Sequence, residues 1–203
     1  MFKKYWKFFV IFWSVVLVGI IGVFVFFWLI SAGKLGFMPT FEELENPNNR
    51  FASEVYFADG PIMNRYFEKE NRKYIEYREM PQSVIDALIA TEDVRFYDHS
   101  GVDVRGLFRV AKGLLTANTS AGGGSTISQQ LAKMLFPRES DLNVFELAIR
   151  KFREWVIAVR LEKSYTKEEI LTMYLNKYDF LNLAVGISSA ADIYLQVPLD
   201  SLK

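Results

Sequence analysis

Residues 90 to 103 read "ATEDVRFYDHSGVD", placing Glu92, Asp93, Asp98, His99 and Asp103 within twelve positions. Such a group can ligate a metal, transfer a proton through one carboxylate backed by its neighbours, or form a polar turn between helices. The spacing fits neither the calcium loop of an EF-hand nor a zinc pattern. Glu92 lies four residues after Leu88 and seven after Ile85, so it continues the apolar stripe of a helix expected over 81–93. A carboxylate on such a stripe is expected to lose part of its hydration, which suits it to proton transfer. Asp93 falls on the edge of the same stripe. His99 is the only histidine, and a lone histidine is more often a hydrogen-bonded structural group than a proton shuttle.

A second cluster follows a glycine-rich stretch. "AGGGS" leads into "TISQQLAKMLF", where Thr126 and Gln129 form a capping-box pattern. The P-loop pattern lacks its lysine here, so a nucleotide loop is disfavoured. Flexible backbone feeding a helix N-terminus can still approach an anion, and Lys133, one turn after Gln129, is placed to meet a phosphate. Arg150, Lys151 and Glu154 share a flank of the following helix. Ser164 to Lys167 matches S-x-x-K, but no S-D-N or K-T-G partner exists in the chain, and the match is set aside as coincidence.

These residues need a frame, and from Pro81 onward the periodicity is helical. Beyond the helices of Glu92 and Gln129, a long one is expected to start at Ser140 or Asp141 and reach about Lys163. Its buried face would be Leu142, Phe145, Ile149, Phe152, Val156 and Val159. Thr166 and Glu169 open another that ends near Asn176, and "GISSAADIYL" gives a fifth. Ahead of them, "ASEVYFADGPIMNRYF" holds two β-leaning runs around Asp59-Gly60, a hairpin signal. With no cysteine, the fold rests on its core.

The chain is 51% hydrophobic and 16% aromatic, and the excess is concentrated in the 23 uncharged residues from Phe8 to Ile30. As a helix these span ~35 Å, enough to cross a bilayer core of about 30 Å. The stretch is longer than a cleavable signal's apolar core, so we expect an uncleaved anchor despite the small residues Ser31-Ala32-Gly33. Trp6, Trp13 and Trp28 lie at or near its ends, where indoles favour the interface. Lys3, Lys4 and Lys7 precede it, which predicts a cytoplasmic N-terminus and an exported remainder. The formal charge is zero overall; setting aside Lys3, Lys4, Lys7 and Lys34 leaves 20 basic against 24 acidic residues. An exported part near −4 argues against binding nucleic acid through bulk charge. The sequon at Asn118 matters only in a glycosylating pathway. The expected organisation is a tail over 1–7, an anchor over 8–30, a linker and hairpin over 31–79, and a catalytic lobe over 80–203.

In order and spacing, "EDVRFYDHSGVD", "GGGSTISQQLAK", "RKFRE" and "KEEILTMYLN" resemble four motifs of the peptidoglycan glycosyltransferases of family 51. Members include the N-terminal module of class A penicillin-binding proteins and monofunctional enzymes. The likeness runs from about Ser53 to the end of the chain, and "SEVYFADGPIMNRYFEKENR" looks more like the class A proteins. The resemblance implies a mainly α, lysozyme-like glycosyltransferase lobe whose jaw dips into the membrane beside a long cleft. It implies polymerisation of lipid II outside the bacterial inner (plasma) membrane, with inversion and release of undecaprenyl pyrophosphate. Glu92 then matches the catalytic base, and Glu154 the second cleft carboxylate. Lys133 and Lys151 match the cleft lysines; Ser125, Thr126, Gln129 and Gln130 match its polar lining, and Arg138 is an extra phosphate contact. Asp93, Phe96 and His99 would support the loop of Glu92, leaving Asp98 and Asp103 to structural roles.

No cofactor is required by the resemblance. A divalent cation, Mg or Mn, can bridge the substrate pyrophosphate in some members without sitting on these carboxylates. Implied partners are lipid II, the nascent glycan chain, membrane lipids and the proteins of cell-wall elongation or division, with no nucleic acid. Met134 stands where members often have Asn, and the chain stops before the family's fifth motif and before any transpeptidase domain. The lobe is therefore expected to be incomplete at its C-terminus. Two other classes compete: a lytic muramidase, which also uses a glutamate at a helix end, and a non-catalytic membrane scaffold.

Overall fold

The computed structural model describes residues 2–40, 53–56, 62–66, 71–116, 123–135 and 142–202. The Asp59-Gly60 turn, Arg138, the caps expected at Ser140 or Asp141, and the Asn118 sequon lie outside the described residues. The fold is mainly α, as expected. It opens with α1 (Phe2–Ser31), whose apolar side chains are almost all exposed. From Tyr5 to Ser31 this helix is long and apolar enough to cross a membrane. The two β-leaning runs pair antiparallel as β1 (Ser53–Tyr56) and β2 (Ile62–Tyr66). A short β3 (Asn71–Arg72) runs parallel to β4 (Ala184–Val185).

The lobe is built from α2 (Gln82–Glu92), α3 (Val104–Leu115), α4 (Ile127–Leu135), α5 (Val144–Ser164) and α6 (Lys167–Lys177). A short α7 (Ile187–Ala190) continues into a π-turn over Ala191–Leu195. Ile85, Phe96, Ile127, Leu131, Leu161, Ile170 and Leu171 close the core between α4, α5 and α6 with almost no exposure. Buried Asn176 ties in the segment that follows β3: it accepts from the Ile75 amide at 2.9 Å and donates to the Ile75 carbonyl at 2.8 Å. One side chain thus satisfies both backbone groups, as a neighbouring strand would.

Sequence and structure differ at three points. The helix α3 has no counterpart among the expected helices. Its signal is present nonetheless: Asp103 caps it through the Gly106 amide at 2.9 Å, and Val104, Leu107, Phe108 and Ala111 recur at helical spacing. The cap of α5 is Asn143, in a complete capping box with Glu146.

The buried face of α5 is not the expected one. Arg153, Ile157, Ala158 and Leu161 enter the core, whereas Phe145 is exposed and Phe152 packs edge-on against Phe26 and Phe27 of α1. The expected stripe is real, but part of it meets the anchor rather than the core. Arg160 adds a polar clamp, donating to the Pro39 carbonyl at 3.0 Å and to the carbonyl and hydroxyl of Ser31, each at 2.8 Å. The Ser31 carbonyl is the last of α1, where a cation also complements the helix dipole.

Candidate active site

Helix α2 ends at Glu92, and the Asp93 amide closes it by donating to the Ile89 carbonyl at 3.0 Å. The chain then turns into the loop 93–101, whose geometry is set by buried polar contacts. Both Asp93 carboxylate oxygens lie 3.0–3.1 Å from His99 Nε2, and Oδ2 also accepts from the Ile127 amide at 3.1 Å. Ile127 is the first residue of α4, so Asp93 caps that helix from across the chain and places negative charge at its positive end. The Gly101 amide donates to His99 Nδ1 at 3.3 Å, which leaves Nε2 as the protonated nitrogen facing Asp93.

Behind the loop, Phe96 is fully buried. The Lys167 ammonium sits 4.2 Å from its ring centroid and donates to the His99 carbonyl at 2.7 Å and to Glu162 at 2.8 Å. Glu162 in turn accepts from Ser128. Thr126 Oγ1 accepts from the Gln129 amide at 3.2 Å and donates to the Gly101 carbonyl at 2.7 Å. The expected capping box is therefore only half made. The Gln129 side chain turns to the Gly101 carbonyl at 3.4 Å instead of returning to Thr126.

Glu92 itself is exposed, so the desolvation expected from its place on the α2 stripe is not found. The buried carboxylate is its neighbour Asp93, because the stripe drifts around the helix and the chain leaves helical geometry at that residue. Glu92 instead borders an open cleft of about 420 Å³, lined by residues 90–95, Asp103, Gly106, Arg109, residues 123–126 and Gln130. Its Oε2 accepts from Gln130 Nε2 at 2.8 Å, and Gln130 Oε1 accepts from the Tyr174 hydroxyl at 3.0 Å.

Across the cleft Asp103 pairs with Arg95. Burial works against the Asp103 carboxylate, but the Arg95 hydrogen bond and the Gly106 amide outweigh it and hold its pKa below the usual range. The sign of its effect on stability follows. A depressed folded pKa gives a contribution that is full above the unfolded value near 3.9 and lost as pH falls through the folded one. Asp103→Asn is accordingly expected to lower stability at neutral pH by about 1 kcal/mol, a modest value because the pair borders solvent. In denaturation curves the gap from wild type should narrow below about pH 4; a gap constant down to pH 2 would contradict the pairing.

The candidate residues are brought together only in part. Glu92, Asp93, Ser125, Thr126 and Gln130 line the cleft. Lys151 stands one shell back, donating to Ser125 Oγ and to Glu154 Oε2, each at 2.9 Å. Lys133 is exposed on α4 and lies outside the lining. Arg138 is outside the described residues. Among those described, no group of three or more His, Cys, Asp or Glu side chains stands where it can hold a metal ion. Arg95, Arg109 and Tyr174 belong to the cleft or touch its lining without having been singled out in the sequence. The "VRF" and "YLN" segments carry two of them in plain view, but nothing in their spacing marks them as facing Glu92.

Comparison with known proteins gives a family match described as Transglycosylase over residues 59–203. The chain is 37% identical to penicillin-binding protein 1A of Escherichia coli over 165 residues, covering 81% of this chain and 19% of that protein. It is equally similar, at 37% over 166 residues, to penicillin-binding protein 1A of Pseudomonas aeruginosa, covering 82% and 20%. For that of Haemophilus influenzae the figures are 37% over 174 residues, 86% and 19%. The chain spans about a fifth of the length of these relatives.

Proposed function

Because the chain belongs to the Transglycosylase family, we propose that it is a peptidoglycan glycosyltransferase of bacterial cell-wall synthesis that polymerises lipid II. The observation that carries this reading is Glu92, an accessible carboxylate on the wall of an open polar cleft, oriented by Gln130. Its Oε1 receives no hydrogen bond among the described residues and can accept a proton. In the proposed step the 4-hydroxyl oxygen of the acceptor sugar bonds to the anomeric carbon of the donor chain. The bond from that carbon to the phosphate oxygen breaks, its electron pair leaves with undecaprenyl pyrophosphate, and Glu92 takes the hydroxyl proton. Attack opposite the leaving group inverts the centre from α to β.

Charge builds up on the departing pyrophosphate, and cations stabilise that change most where water is scarce. Lys151, half-buried behind Ser125, is positioned by Glu154 for this role. Lys133 and Arg138 are assigned to the same anion, and a divalent cation can bridge it. Asp93, Phe96 and His99 hold the loop that carries Glu92.

Lipid II cannot leave the bilayer, so a polymerase must work against its surface. The anchor α1 answers this need, with Lys3, Lys4 and Lys7 retaining its start in the cytoplasm and the lobe outside. Exposed Val104, Phe108 and Leu115 on α3, with Val144 and Phe145 at the start of α5, supply apolar surface for the same bilayer. Partners in cell-wall elongation or division follow from the same reading.

Incubating the full-length protein with lipid II tests the proposal. Glycan chains that lengthen with time are expected. Soluble muropeptides released from added peptidoglycan, with no polymer formed, would replace the polymerase with a lytic muramidase.

A further inference from the structure

Three features of the lobe stand apart from the roles assigned so far. Among the described residues the cleft arginine Arg109 makes one long contact, to the Gly123 carbonyl at 3.4 Å. The Lys167–Glu162 pair braces the loop from behind. The third feature is a short chain of hydrogen bonds that ends on Glu92 itself, and it carries the inference furthest.

Tyr174 is buried on α6, its ring stacked on Tyr178 with centroids 5.4 Å apart. Among the described residues its hydroxyl makes a single hydrogen bond, to Gln130 Oε1 at 3.0 Å, and Gln130 Nε2 donates to Glu92 Oε2 at 2.8 Å. The direction of this chain is fixed by chemistry. An ionised carboxylate only accepts, so the Gln130 nitrogen must face Glu92 and its carbonyl oxygen must face the phenol. The phenol must then donate. Burial first, and the nearby Glu92 carboxylate second, push the Tyr174 pKa far above its ordinary value. The hydroxyl therefore keeps its proton at any pH at which the protein works.

We propose that Tyr174 is a positioning residue for Glu92, acting through the Gln130 amide, a role that rests on the reading of Glu92 as the base. Without the phenol, the far end of the Gln130 amide loses its partner, and the side chain is free to swing its nitrogen away from Oε2. With the phenol in place, Oε2 is held by a donor and Oε1 is left to receive the acceptor's proton. The other charged groups around Glu92 are Asp93 and Arg95 on its own loop and Asp103 and Arg109 across the cleft. None of them donates a hydrogen bond to it among the described residues.

The test is Tyr174→Phe in the full-length protein, which removes one oxygen and keeps the stacked ring. The kcat for polymerisation should fall about five- to tenfold, as for the loss of one hydrogen bond. KM should stay within about twofold, since the phenol does not touch substrate. Tyr178→Phe, which keeps the stacking and lies outside the hydrogen-bond chain, should match wild type. Glu92→Gln is measured alongside. If it is inactive while Tyr174→Phe keeps wild-type kcat, the positioning role fails and the base stands. If Glu92→Gln polymerises normally, both fail. A Tyr174→Phe loss reproduced by Tyr178→Phe, or one that merely tracks the fraction folded, would also overturn the role.

Discussion

Glu92→Gln in the full-length protein is expected to lower kcat for glycan synthesis by about 10²–10⁴-fold, the span that a positioned general base contributes. The substitution keeps the length and shape of the side chain and removes only its capacity to take up a proton. Folding should be unaffected, because Glu92 is exposed and the one hydrogen bond its carboxylate makes among the described residues is to another side chain. The buried contacts that define the loop belong to Asp93 and His99, which the change leaves alone. Substrate binding should change little, so the loss belongs in kcat with KM nearly constant. The measurement is the initial rate of polymer formation from lipid II at saturating substrate, beside a melting curve of the same preparation. A variant that polymerises within about threefold of wild type would remove Glu92 from the chemistry. The proton would then have to pass to Asp103 or to water.

The site residues most legible in the sequence were those whose signal is local. Glu92, Asp93 and His99 fall in one short run, and Thr166 with Glu169 announces the start of α6 by a capping box that is fully formed. Periodicity placed α2 within a residue of its observed ends, and the capping signal at Thr126 placed the start of α4. It failed where a helix has more than one partner. Stripe analysis assumes one apolar face turned to one core, but α5 lies between the core and the anchor, so Phe152 is apolar for the sake of α1. The same assumption hid Arg153. It counts as polar in any pattern, yet it is buried against Gly36, where a side-chain carbon would come within 2.3 Å of its guanidinium. The exposure of Glu92 was missed for a related reason. The helix ends there, and a residue on a helical stripe is buried only as long as a neighbour continues beside it. Tyr174 could not be found from spacing at all. It lies 82 positions from Glu92 in the sequence, and only the packing of α6 against α4 brings them to opposite ends of one glutamine.

Gly101→Ala is expected to destabilise the lobe by about 3–5 kcal/mol, and the two causes are separable. First, Gly101 has φ of +97°, a conformation that a side chain rarely adopts. Second, a Cβ at this position would lie 2.8 Å from the Ala158 carbonyl carbon and the Val159 amide nitrogen, and 2.9 Å from the Ala158 oxygen. These are backbone atoms in the middle of α5, so no rotamer change relieves the overlap; either the loop or the helix must shift. A shift of the loop has consequences beyond stability. The Gly101 carbonyl accepts from Thr126 and Gln129, and its amide donates to His99, which in turn holds Asp93. The glycine is thus a point where the loop that follows Glu92, the start of α4 and the helix carrying Lys151 meet. Gly123→Ala supplies the contrast, since a Cβ there meets nothing within 4 Å. In thermal melts of the full-length protein in detergent, Gly101→Ala should lower the midpoint by about 10 °C, at roughly 2–4 °C per kcal/mol for a chain of this size. Gly123→Ala should melt with wild type. Equal midpoints for all three proteins would mean that the loop and α5 are not in backbone contact, and the support of Glu92 would then have to come from Asp93 and Lys167 alone.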